Sequence, residues 1–249
     1  MRLILLTLLG LLTITPCLMA EGEVEDGFVS LFNGQDLTGW KAPVGDNGHW
    51  KVVDGVIDYD AASEATGDKN LWTEQEYGNF ILKIDWRIKE TAGLYDTPIV
   101  LSDGSYLQGP DGKNLTIKRA NADSGIYVRG TSKAQLNIWC WPVGSGEVYG
   151  YRNRQDDPAV RAGVTPRINA DNPVGEWNHF EIIMLGDRLT VLLNNQLVIE
   201  NAQLPEVPEK GPIALQHHGG KNADGSYKAA SSLVQFRNVW IKELPAAGE

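Results

Sequence analysis

The run GPIALQHHGG, residues 211–220, combines side chains suited to proton transfer with a backbone able to expose them. Read as a strand of period two, it puts Ala214, Gln216 and His218 on one face and Ile213, Leu215 and His217 on the other. The first face turns polar toward its end. Gly219 and Gly220 then let the chain turn away, leaving Gln216 and His218 near a strand end that a ligand can reach. An imidazole titrates near neutrality and suits acid–base work there; a hydrogen-bonded surface histidine fits the same pattern. His217 reads as structural or as part of the rim.

A second polar face lies in DSGIYVRG, where alternation groups Tyr127 and Arg129 with Gly125 and sends Ile126 and Val128 to the core. A Tyr ring can stack on a pyranose, and an Arg fork can donate to hydroxyl or carbonyl oxygens. The next strand, QLNIWCW, repeats the mixture with Gln135, Asn137, Trp139 and Trp141 on one side. Each residue alone is weak, since Trp is more often packing than platform. Three strands of like polarity form a stronger pattern. The acidic candidates are Asp85, Asp123 and Glu147; Lys83 shares the polar face of its strand with Asp85. A glycosidase needs an acid and a second carboxylate at a set separation, which a sequence does not measure.

Several chemistries lose support. There is no Gly-x-Ser-x-Gly elbow, phosphate loop, dinucleotide fingerprint or His-Glu-x-x-His helix. The four His stand at 49, 179, 217 and 218, which disfavours a three-His zinc site. A divalent metal held by acidic loops and His218 stays open, with no diagnostic ligand spacing. The 249 residues carry 22 Lys plus Arg against 32 Asp plus Glu, a net charge of -10, and no basic cluster, which argues against nucleic acid and anionic membranes and for a neutral ligand.

The elements that must position these residues are strands. From Phe28 onward the apolar period is mostly two, punctuated by Asn-Gly, Asp-Gly and Gly-Pro. Phe80, Leu82, Ile84, Trp86 and Ile88 share one face of the clearest strand, with Lys83, Asp85 and Arg87 on the other. Further strands are expected over 50–58, 99–101, 115–118, 125–129, 135–141, 179–185, 188–194, 212–218 and 234–243. Tight hairpins are expected at Ser102–Ser105 and Leu185–Arg188. About ten to twelve strands argue for an all-β, two-sheet sandwich or jelly roll, because one open sheet that wide would curl or split. One domain is expected over 26–245. The unpatterned stretch 149–177 reads as a loop flanking a pocket.

Ahead of the domain, Met1-Arg2 and an apolar run ending in small residues near Ala20 read as a secretory signal peptide, with a secreted or periplasmic product. Gly10, Thr13, Thr15 and Pro16 interrupt the run, which disfavours a retained membrane helix; Pro16 is also a poor neighbour for lipid on Cys17. Cleavage leaves Cys140 without a disulfide partner, and its setting in LNIWCWP reads as buried packing.

Seven segments in order, FVSLFNGQDLTGWK, GNFILKIDWRI, DSGIYVRG, GEVYG, GEWNHFEI, GPIALQHHG and VQFRNVWIKEL, resemble the 3-keto-disaccharide hydrolase family, formerly a domain of unknown function. The likeness spans nearly the whole chain after residue 26. It implies a concanavalin A-like jelly roll and action on glycosides oxidised at carbon 3. The chain departs from the family pattern at Asp123, where Asn is common, and at Gln135-Leu136-Asn137, where Glu-x-Gln is common. Residues 90–119 look like an added hairpin. Under the resemblance, His218 is the expected base that removes the carbon 2 proton. Arg129, with Gln216 or Asn137, is the expected oxyanion donor, and Tyr149 or Glu147 the proton donor to the leaving group. Tyr127, Trp139, Trp141, Lys83, Asp85 and Asp123 complete the expected saccharide site. Two other readings remain: a carbohydrate-binding module relying on Trp139, Trp141 and Tyr127, and an ordinary glucanase using Asp85 and Glu147.

Overall fold

The computed structural model describes residues 27–153, 157–228 and 231–245. The expected signal peptide, with Cys17 and Ala20, lies outside the described residues. The strands are β1 (Val29–Ser30), β2 (Trp40–Lys41), β3 (Trp50–Val53), β4 (Val56–Tyr59), β5 (Leu71–Tyr77), β6 (Phe80–Ile88), β7 (Leu94–Pro98), β8 (Thr116–Ala120), β9 (Asp123–Tyr127), β10 (Gln135–Trp139), β11 (Asn178–Leu185), β12 (Arg188–Leu193), β13 (Gln196–Gln203), β14 (Gly211–Leu215) and β15 (Val234–Glu243). Two short helices, α1 (Tyr149–Arg152) and α2 (Pro158–Gly163), lie in the stretch read as a loop.

The strands form an antiparallel two-sheet sandwich. The large sheet runs β13-β12-β11-β6-β15-β4-β3, with β1 also paired to β15; the small sheet runs β10-β9-β14-β5-β2. Period-two burial explains the arrangement. Along β6 every second side chain from Phe80 to Ile88 is buried, and these pack in one core with Phe180 and Phe236 of the large sheet and Leu71, Ile126, Ile138 and Leu215 of the small one. Cys140 packs against this core as a free, partly buried thiol.

The structure departs from the sequence reading in several places: β1, β2 and β7 were not expected, and the expected 99–101 strand is only an isolated bridge at Val100. The 50–58 run is a hairpin: Asp54 and Gly55 both take positive φ, 51° and 76°, and fold β3 onto β4. Asn194 and Asn195, at φ 52° and 63°, make the same kind of turn and start β13, which the reading omitted. β5 was also omitted because its solvent-facing middle, Glu74-Gln75-Glu76, interrupts the apolar alternation.

Residues 94–120 form a separate hairpin, β7 with β8, extended by bridges Val100–Tyr106 and Gln108–Asn114. Its tip, the expected turn closed by Leu101 N donating to Ser105 O at 2.8 Å, docks on α2. Gly104 allows this contact. Its φ is 77°, and a Cβ there would lie 2.6 Å from Arg161 Cγ and 2.7 Å from Thr165 Oγ1. We expect Gly104→Ala to undock the tip, lower stability by about 1–3 kcal/mol and raise amide exchange over residues 99–107. A thermal melt combined with hydrogen exchange checks both outcomes.

Candidate active site

The outer face of the small sheet carries the polar rows. β9 pairs with β10 so that Tyr127 meets Gln135, Gly125 meets Asn137 and Asp123 meets Trp139. β14 lies on the other side of β9, with Ala214 opposite Tyr127, and Gln216 N donates to Gly125 O at 2.9 Å. Gln216, Gly125 and Asn137 therefore share one row, and His218 and Asp123 fall at the same end of the next. β5 adds Trp72, whose ring lies 5.8 Å from that of Tyr127.

A chain of hydrogen bonds crosses this face. Gln135 Nε2 donates to Gln216 Oε1 at 2.7 Å and to Asn137 Oδ1 at 2.6 Å. Asn137 Nδ2 donates to Glu147 Oε2 at 2.8 Å, and the other Glu147 oxygen meets Arg152 Nε. Arg152 donates onward to the Tyr106 hydroxyl at 3.0 Å and the Gly104 carbonyl at 3.4 Å, both in the hairpin. Gly125 makes the crossing possible, because a Cβ there would lie 2.8 Å from both Gln135 Cγ and Nε2. At the near end the Gln216 side chain acts on the Tyr127 hydroxyl, lowering its pKa against the larger effect of burial. Burial pushes the Tyr127 hydroxyl pKa up to about 12, so its proton is retained through neutrality.

His218 and Asp123 are held together through their backbones. The Ser232 hydroxyl accepts from His218 N at 2.8 Å and donates to Asp123 O at 2.7 Å, while Ser232 N donates to His218 O at 2.9 Å. Burial raises the Asp123 carboxyl pKa to about 6, and the neighbouring His218 opposes that rise. Asp123 Oδ1 is buried without a hydrogen-bond partner. His217, on the opposite face, meets the Tyr59 hydroxyl and takes Asn70 on its backbone N–H, which is the structural role expected of it. Its pKa is lowered to about 4, first by burial and then by Lys69.

Other expected site residues are not brought here. Arg129 has φ 53°, which breaks the alternation after Tyr127; its guanidinium donates to Gly78 O, Pro208 O and Asn79 Oδ1. It lies beside Pro212, six residues from His218 along the neighbouring chain and thus about 20 Å of strand away, so it is no oxyanion donor for this site. Lys83 and Asp85 sit on the outer face of the large sheet. Asp85 is bonded by His179, Asn238 and Arg237, and Lys83 stands 4.6 Å over the Phe28 ring. The expected Asp85–Glu147 pair is therefore split between sheets. Glu147 lies on the right face but is fully buried between Arg152 and Asn137, with no proton to give. Tyr149 is 44% exposed, with the Arg152 guanidinium 5.3 Å from its ring.

Trp139 and Trp141 stack at 4.1 Å. Trp139 is buried, its indole N–H spent on Gly144 O, while Trp141 donates to the Tyr95 hydroxyl. Sequence reasoning missed Trp72, Tyr95, Tyr106 and Ser232. Only Trp72 left a signal, as the partner of Leu71 and Thr73 in a period-two run. Among the described residues no three His, Cys, Asp or Glu side chains converge as a metal site.

Because the folded pKa of Asp123 lies above the carboxylate value of 3.8, folding binds a proton between those two pH values, and stability is lost as pH rises from about 4 to 6. Asp123→Asn removes that penalty. We expect it to stabilise the fold at pH 7.5 by up to about 3 kcal/mol and to make far less difference at pH 3.5, as read from denaturant melts at the two pH values.

The model of the 3-keto-alpha-glucoside-1,2-lyase-like domain matches residues 27–242. A 3-keto-disaccharide hydrolase of Bacteroides thetaiotaomicron is 22% identical over 245 residues, covering 88% of this chain and 79% of the relative. Two solved putative glycosyl hydrolases of Parabacteroides distasonis share the fold. One is 23% identical with a TM-score of 0.53, over 88% of this chain and 84% of that one. The other is 20% identical with a TM-score of 0.55, over 88% and 95%. No helix among the described residues is long and apolar enough to cross a membrane. With the match running almost from end to end of the sandwich, the chain belongs to the 3-keto-alpha-glucoside-1,2-lyase-like family.

Proposed function

We propose that this protein is a secreted enzyme that cleaves the glycosidic bond of 3-keto-glycosides at the outer face of the small sheet. The convergence of His218 with Asp123, beside the Tyr127–Gln216–Gln135 chain, carries this reading. A carbonyl at carbon 3 acidifies the proton on carbon 2. His218 takes that proton, and the electron pair moves into an enolate with its charge on the carbon 3 oxygen. Tyr127 O–H, beside the Gln216 amide, donates to that oxyanion in the place first expected of Arg129. When the carbonyl re-forms, the carbon 1–oxygen bond breaks and a carbon 1–carbon 2 double bond remains.

Asp123 stabilises the imidazolium formed in the first step by its charge. With Glu147 committed to Arg152, the imidazolium is the proton source for the departing oxygen. Addition of water across the double bond, hydroxyl to carbon 1 and proton to carbon 2, completes hydrolysis; release before that step gives an unsaturated sugar. Of the three aromatic residues a binding module without catalysis would use, Trp139 and Tyr127 are buried and Trp141 is partly exposed, which leaves one ring as a platform. Secretion rests on the leader expected over residues 1–20.

The test incubates the protein with matched 3-keto and unoxidised disaccharides and follows products by mass spectrometry. Only the keto substrate is expected to be cleaved. His218→Ala should lower that rate by about 10²–10⁴-fold with an unchanged melting temperature. Near-normal turnover by this variant sinks the assignment of the base.

A further inference from the structure

The turn ahead of β3 carries a side chain able to react with its own backbone. In Asp46-Asn47-Gly48-His49 the two central residues take φ 56° and 79°, the consecutive left-handed pair of a type I′ turn. The bond that closes it, from His49 N to Asp46 O, is long at 3.4 Å. Asp46 is anchored more firmly, with Oδ2 accepting from Trp50 N at 2.8 Å. Asn47 and Gly48 are both exposed, and a Cβ on Gly48 would meet nothing within 4 Å. Among the described residues the Asn47 side chain makes one hydrogen bond, from Nδ2 to Glu64 Oε2 at 3.3 Å.

An asparagine followed by glycine is open to attack on its side-chain carbonyl, because no side chain on the next residue shields the backbone nitrogen. The sequence contains two such pairs, Asn33-Gly34 and Asn47-Gly48. The structure separates them. Asn33 Oδ1 accepts from Gln35 N at 2.8 Å and Asp36 N at 3.0 Å, and Asn33 Nδ2 donates to Asp36 Oδ1 at 2.8 Å. Swinging the Asn33 amide onto Gly34 N breaks three short bonds, whereas Asn47 gives up one long bond. Two extra bonds of ordinary strength slow Asn33 by on the order of tenfold or more.

We propose that Asn47 is a site of self-modification, where the folded chain converts its own amide to aspartate or isoaspartate through a cyclic imide. The Gly48 nitrogen loses its proton to hydroxide and bonds to Asn47 Cγ. The Cγ–Nδ2 bond then breaks, and the side-chain nitrogen leaves as ammonia with a proton taken from water. A further water opens the ring. Attack at Cγ restores the original backbone with an aspartate; attack at the backbone carbonyl gives isoaspartate, in which the chain runs through Cγ. Either product puts a carboxylate where an amide donated to Glu64. Glu64 also meets His49 Nε2 at 3.1 Å, and Asp60 meets His49 Nδ1 at 2.9 Å, so the new charge adds a third carboxyl to that group. The reaction uses only water and this turn, and it stands whether or not the protein cleaves keto-glycosides.

The experiment stores the folded chain in mildly alkaline buffer and samples it over days by tryptic digestion and mass spectrometry. Asn47 falls in the peptide of residues 42–51 and Asn33 in a peptide that ends at Lys41, so the two sites are read separately. The mass gain of an amide-to-acid exchange should build up in the 42–51 peptide, as two products that separate on the column, about tenfold or more faster than in the other peptide. In the urea-unfolded chain, where neither turn exists, the two rates should converge. Gly48→Ala should slow the reaction severalfold at Asn47 and leave Asn33 unchanged. Because alanine at φ 79° strains the turn, Asn47→Gln serves as a second variant: its longer side chain closes the larger ring poorly, and the mass gain in residues 42–51 should vanish. Equal rates in the folded chain, a faster Asn33, or an intact Asn47 under conditions where the unfolded chain reacts overturns the proposal.

Discussion

The antiparallel register of β9 against β14 governs the site. The 2.9 Å bond from Gln216 N to Gly125 O locks that register at one end, and Gly130 N to Pro212 O, at 2.7 Å, locks the other. A slip of one residue would turn Gln216 and His218 into the core and Leu215 onto the polar face. The core forbids that slip, because Leu215 and Ile126 are both fully buried against the large sheet. Apolar packing on one side of the sheet thus positions polar chemistry on the other. Ser232 adds a local clamp at the end where the two chains carry His218 and Asp123.

The polar face is costly to build, and its parts offset one another. Asn137, Gln216 and Tyr127 are nearly shut off from water, so each amide must find partners inside the protein. The Gln135 amide supplies two of these bonds from the space left by Gly125. At the far end, Glu147 and Arg152 are buried as a pair, and Asn137, Tyr106 and Gly104 take up further bonding positions. Removing either charge would leave the other stranded, typically a loss of about 3–5 kcal/mol. The 94–120 hairpin is therefore part of the site's support. Without its hydroxyl and carbonyl, the Arg152 guanidinium would lose partners beneath the amide chain. Asp123 differs, a half-buried carboxyl with one oxygen sealed from water and without a hydrogen bond. An unfavourable placement of this kind is common where a group must exchange a proton or meet a ligand.

The all-β sandwich and most of the small-sheet face were legible in the sequence because period-two alternation reports burial directly. That is how Gln216, His218, Tyr127, Gln135, Asn137 and Asp123 fall together. Arg129 was misplaced for one reason: alternation assumes extended backbone, whereas the strand ends at Tyr127, two positions early, and Arg129 itself has a φ of 53°. Alternation also cannot say which sheet a polar face belongs to. Lys83 and Asp85 have the expected period, but β6 lies in the middle of the large sheet and its polar side faces away from the site. Glu147 was placed on the correct face, while its burial depends on Arg152 and on a hairpin tip about 45 residues earlier, contacts with no local signature. Ser232 was invisible for the same reason, being joined to Asp123 across 109 positions of chain.

The distribution of carboxylates bears on which bond-breaking route this face can support. A route through an oxocarbenium ion requires two carboxyl groups flanking the glycosidic oxygen, about 5 Å or more apart, one of them free to donate a proton. Near this face Glu147 is held by Arg152 and Asn137, and Asp68 by the Trp72 indole and the Asn70 amide. Asp123 is left, beside a histidine. One carboxyl and one imidazole at the same strand end are a poor set for protonating one side of a sugar while attacking the other. They are a sufficient set for removing an already acidic proton, holding the resulting cation, and returning the proton to a leaving oxygen. On the function proposed above, the demand falls on the substrate, which must arrive with its carbon 2 hydrogen activated, and on the hydroxyl and amides that meet the charge when it moves onto oxygen. On this account, the proposed chemistry and the scarcity of free carboxylates among the described residues of the face have the same physical explanation.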